Sequence, residues 1–125
     1  MSFFTLINCI DGRVQLPLIK YLQKYYSVRY IDLVTEAGPN QILAERNDMP
    51  KVQSILDRIN FSLDQHHSKG IALAGHFDCK GNAVDENTQR ENIVEALKFL
   101  KGIYQDYEVI GLWVNRKYGI FRIIV

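Results

Sequence analysis

The sequence predicts a single α/β domain over residues 1–125: a mostly parallel sheet of five strands, with an antiparallel strand at one edge and helices on both faces. Two observations carry this. Short apolar runs rich in β-branched and aromatic residues alternate with longer segments whose apolar residues recur at helical spacing. The order that results, βαβ-αβαββ, joins successive strands by helical crossovers, which makes the strands parallel and covers both faces.

Phe3 to Ile10 is a continuous apolar run suited to a strand buried on both faces, and Gly12 breaks it. From Gln15 to Tyr26, Leu16, Ile19 and Leu22, with Leu18 and Tyr25 beside them, predict one helical face, and Pro17 falls in the first turn. Val28 to Val34 is the second strand. Thr35 to Asn47 contains Ala37-Gly38-Pro39-Asn40 and reads as a loop with room for one helical turn. The next helix has Pro50 in its first turn and an apolar face of Val52, Ile55, Leu56, Ile59 and Leu63, with Gly70 as its expected stop.

Ile71 to Gly75 is so short and apolar that it is expected at the centre of the sheet. After a turn at Lys80 to Ala83, Thr88-Gln89-Arg90-Glu91 has capping-box form and opens a helix faced by Ile93, Ala96, Leu97, Leu100 and Tyr104. Val109 to Val114 and Ile120 to Val125, joined by a turn at Asn115 to Gly119, predict an antiparallel hairpin.

Composition narrows the function. A formal net charge of +1 with scattered lysines and arginines gives no basic stripe for nucleic acid. No apolar run reaches the ~20 residues that cross a bilayer, and no leader-like segment opens the chain, so the expectation is a cytoplasmic protein. In that compartment two cysteines are thiols or metal ligands before they are a disulfide.

Both cysteines stand where a buried strand should give way to a loop. Cys9 opens Cys9-x-Asp11-x-Arg13, and Cys79 closes His76-x-x-Cys79. In sheets of this type ligands bind beyond the carboxyl ends of the strands, so the two motifs should open on one edge. Cys9, His76 and Cys79 together offer two thiolates and an imidazole, a donor set for Zn2+ that leaves a fourth position open. Bound zinc can bring the pKa of water from ~15.7 to about 7. Asp11 could then orient that water while paired with Arg13, or could take the fourth position itself. Against this stand plainer readings: two small buried thiols, a turn carboxylate and a surface arginine. His66 and His67, at a helix end, read as solvated.

Cys9-Ile10-Asp11-Gly12-Arg13 and Gly75-His76-Phe77-Asp78-Cys79 resemble the paired motifs of the β-class carbonic anhydrases. Thr35-Glu36-Ala37-Gly38 resembles that family's Arg-Asn-Ala-Gly segment only at Ala37 and Gly38. The resemblance implies zinc held by Cys9, His76 and Cys79, a catalytic dyad of Asp11 and Arg13 with Asp11 as the alternative fourth ligand, and attack of zinc-bound hydroxide on carbon dioxide, or a close analogue such as carbonyl sulfide, to give bicarbonate. It also implies a homodimer or higher homo-oligomer. Eight residues precede Cys9, so the family's N-terminal arm is expected to be lacking. That expectation supplies the alternative, a non-catalytic zinc-containing binding or regulatory module.

Overall fold

A computed structural model describes residues 2–125. Five strands, β1 (Phe3–Cys9), β2 (Tyr30–Glu36), β3 (Gly70–His76), β4 (Glu108–Val114) and β5 (Ile120–Ile123), form one sheet in the order β2-β1-β3-β4-β5. The first four run parallel and β5 is antiparallel to β4. Helices α1 (Gln15–Tyr26), α2 (Pro39–Glu45), α3 (Met49–Gln65) and α4 (Glu86–Ile103) connect them.

β3 is buried along its whole length at the centre, as its composition predicts. Period-two alternation sorts its side chains: Ile71 and Leu73 join α2, α3 and α4 in one core, while Ala72 and Ala74 join α1 in the other. One helix thus covers one face and three cover the opposite face. From β1 the chain winds first to β2 on one side, then returns across β1 to β3 on the other. This reversal leaves a crevice above the carboxyl ends of β1 and β3, because the two connections leave those neighbouring strands in opposite directions.

Several elements differ from the sequence expectation, each for a local reason. Leu16 is 63% exposed, and α1 buries Leu18 and Leu22 instead. The working stripe is Val14, Leu18 and Leu22, spaced by four, which tracks a helix face better than steps of three. β2 begins later than expected and runs through Thr35 and Glu36, because its pairing with β1 extends to Cys9↔Glu36. The expected loop after it holds a two-turn helix, α2, with Pro39 at its start.

Gly70 does not stop α3. The chain turns at His67, whose φ of 53° is left-handed, and Gly70 starts β3, where a Cβ would lie 2.8 Å from the Phe4 ring. α4 starts one turn before the expected capping box, capped by the Asp85 side chain, which accepts from the Thr88 amide at 2.7 Å. β5 ends at Ile123, two residues short of the expected strand.

One glycine is placed by geometry that no other residue meets. Gly38 has a φ of 67°, and a Cβ on it would lie 2.6 Å from the Gly81 carbonyl oxygen. The loop after β2 and the loop after β3 therefore touch backbone to backbone. Gly38→Ala should cost about 1–3 kcal/mol from the left-handed conformation alone, with the collision added. Thermal unfolding followed by circular dichroism should show the midpoint lowered by at least about 4 °C. Gly12→Ala, where nothing lies within 4 Å, should leave it unchanged.

Candidate metal centre

Cys9 is the last residue of β1, and its neighbour Ile10 already points to solvent at 68% exposure. The turn that follows is braced by Gln15 at the start of α1. Its side-chain amide donates to the carbonyls of Cys9 and Asp11, both at 2.8 Å, and accepts from Asn8 at 2.9 Å. His76 is the last residue of β3, and Cys79 follows a tight turn in which Asp78 takes a left-handed φ of 51°. Parallel pairing of β1 with β3 brings these two ends side by side.

The ligand atoms of Cys9, His76 and Cys79 all lie within 4.8 Å of one another, and all three residues are buried. The two sulfurs are 3.8 Å apart, nearly twice the ~2.05 Å of a disulfide, and both cysteines are free. His76 Nδ1 faces the Phe77 carbonyl oxygen at 2.6 Å. A carbonyl only accepts, so Nδ1 carries the proton and Nε2 keeps its lone pair. That Nε2 is buried and has no hydrogen-bond partner.

Charge makes the same point. The hydrogen bond from Cys79 outweighs burial and, with help from His76 and the Gly38 and Asp11 backbone, draws the Cys9 thiol well below its usual range. The same hydrogen bond, with burial added, pushes the Cys79 thiol up. Burial disfavours the charged His76 ring, but the adjoining Cys9 sulfur prevails and raises its pKa. Two buried sulfurs this close cannot both ionise without a cation between them. An orphaned imidazole nitrogen and two such sulfurs are a donor set that a tetrahedral divalent ion fits.

Asp11 lies just outside this triangle. Arg13 holds it with two parallel bonds, Nη2 to Oδ2 at 2.6 Å and Nε to Oδ1 at 3.0 Å, while the Arg13 amide donates to Oδ1 at 2.9 Å. The Arg13 side-chain bond is the chief reason the Asp11 carboxyl is lowered to about 2. Arg13 also reaches the Asp78 carbonyl at 3.4 Å and its carboxylate at 3.5 Å, tying the loop after β1 to the loop after β3. Its guanidinium lies 4.9 Å from the centre of the Phe77 ring.

Other residues singled out in the sequence fall elsewhere. Glu36 turns from the centre and pairs with Arg58 on α3. His66 is not merely solvated: Nδ1 lies 2.6 Å from Asp32 Oδ2 and the ring stacks on Phe3. Sequence reasoning missed Gln15, Asn8 and Asn40. Asn40 is buried and donates to the Ala74 carbonyl at 3.3 Å, bracing the end of β3. Nothing in their spacing marks them; only a polar residue inside an apolar run, as at Asn8, gave a signal.

Residues 1–124 match the family described as "Putative carbonic anhydrase". A solved structure of a tetrameric β-carbonic anhydrase from the filamentous ascomycete Sordaria macrospora has the same fold, with a TM-score of 0.66 at 13% sequence identity, over 100% of this chain and 82% of that one. No curated protein sequence matches the chain. With the fold, the buried Cys-His-Cys cluster and the match along nearly the whole sequence in agreement, the chain belongs to this carbonic anhydrase-like family.

Proposed function

We propose that the protein is a zinc enzyme that hydrates carbon dioxide to bicarbonate and a proton, or a close analogue such as carbonyl sulfide to carbon dioxide and hydrogen sulfide. The observation that carries this reading is the set of three convergent ligand atoms beside a carboxylate that is clasped away from them. Cys9 and Cys79 would hold the ion as thiolates and His76 through Nε2, three protein ligands with a fourth position open, the pattern of catalytic rather than structural zinc. When bound, zinc supplies the Lewis acidity that makes water a nucleophile near neutral pH.

The chain's own residues supply the rest. Arg13 keeps Asp11 ionised through the whole neutral range, so the carboxylate can accept a hydrogen bond from the attacking water and fix its direction. Arg13 is a positioning residue: its paired bonds would keep Asp11 from ligating a bound ion, and its reach to Asp78 ties the two loops together. The Phe77 carbonyl holds the proton on His76 Nδ1, which fixes the ring and leaves Nε2 for the ion.

A homo-oligomer belongs to the same proposal. Leu33 and Phe61 on the β2 side, at 42% and 60% exposure, and Phe121 on β5, at 53%, leave apolar surface at both edges of the sheet. The Sordaria relative is tetrameric.

Protein purified from zinc-supplemented cells should carry one zinc per chain by elemental analysis, and Cys79→Ser or His76→Ala should lose most of it. In stopped-flow assays the zinc-loaded protein should accelerate hydration above buffer. Asp11→Asn should lower kcat/KM by about 10²-fold while zinc content is kept. A zinc-loaded protein with no rate above buffer would refute the enzymatic reading. Light scattering at micromolar concentration should give at least twice the mass of one chain, and a monomer would count against the oligomer.

A further inference from the structure

A cleft of about 680 Å³ lies against the side of Cys79, between the loop after β3, the start of α4 and the end of β4. A substrate of three or four atoms has no use for this volume, which is in the range of pockets that take small organic molecules. Its walls divide by chemistry. Phe77, Val84 and Trp113 give it an aromatic and apolar side. Gln89 lines it from α4 and is 3% exposed, yet its side-chain amide has no hydrogen-bond partner among the described residues. The amide is therefore free to meet a polar group on an occupant of the cleft.

Charges at the mouth are unequal in availability. Two of the three carboxylates on the wall are paired with cations, Asp78 with Lys80 at 3.0 Å and Glu86 with Arg90 at 2.9 Å, while Asp85 caps α4 through the Thr88 amide and keeps its charge. Arg116 and Lys117, in the turn after β4, have no carboxylate partner among the described residues. Arg116 is held only over the Phe77 ring, 5.5 Å from its centre. Arg116 and Lys117 set against Asp85 leave the balance of unpaired charge at this cleft positive.

We propose that this cleft, which adjoins the metal-ligand cluster at Cys79, is a second binding site for a small organic anion with a planar apolar body. The carboxylate would rest on Arg116 and Lys117, the body on Phe77 and Trp113, and a further polar group on Gln89. The reading goes beyond the hydration chemistry and does not depend on it.

Trp113 is the single tryptophan of the chain, so its indole N–H reports on the cleft without ambiguity. The test is a titration of the ¹⁵N-labelled full chain with 3-phenylpropionate and with its neutral amide. The anion should shift the Trp113 indole and Gln89 signals saturably in the millimolar range, with the amide at least about tenfold weaker. The double variant Arg116→Ala with Lys117→Ala, both at exposed positions, should weaken the anion by about tenfold or more. Gln89→Leu, checked for folding by circular dichroism, should weaken an anion that carries an added amide more than 3-phenylpropionate itself. Absence of saturation, equal binding of the neutral amide, or an unchanged double variant would overturn the proposal. None of these readouts requires turnover, so they stand apart from the fate of the hydration reading.

Discussion

Two sulfurs 3.8 Å apart beside an imidazole nitrogen with no partner define the upper rim of this molecule. As neutral thiols they would be unremarkable, small and buried. As ligands they form a closed electrostatic problem, in which each negative charge raises the cost of the other until a cation enters. Much of the surrounding structure serves to keep that problem in place. Gln15 pins one loop to its own strand end, Arg13 staples it to the other loop, and the Phe77 carbonyl fixes the imidazole. These are ordinary hydrogen bonds, each worth about 1 kcal/mol, but they act together on groups that must agree to within fractions of an ångström.

The sheet provides the place before the ligands provide the chemistry. Because the chain winds from β1 to β2 and then back across to β3, the gap between the first and third strands exists whatever side chains line it. β3, buried on both faces, is the least deformable part of the sheet, and two of the three donors hang from its end. Rigid support of this kind is what a metal centre would require of its donors.

The fold was legible wherever a long period repeated. The faces of α3 and α4, the central strand and the terminal hairpin follow from apolar spacing, because burial on one side of an element imposes that spacing. The metal-ligating candidates were legible too, since Cys and His at strand ends are rare enough to stand out. What could not be read was contact between segments far apart in the chain. Asn40 braces β3 from α2, Thr5 shares hydrogen bonds with Ser62 and Ser68, and His66 finds Asp32 across two elements. Gly70 was misread for a related reason. A glycine after a helix suggests a stop, whereas here the Phe4 ring occupies the space a side chain would need.

The contact between Gly38 and Gly81 has a consequence for how this molecule can change over generations. Two main chains that meet without side chains between them leave no adjustable spacer, so neither loop can lengthen, shorten or acquire bulk while its counterpart stays as it is. One of the two follows directly on Cys79, the other lies beside Cys9. A change on either side would therefore need a matching change on the other to keep the spacing of the sulfurs.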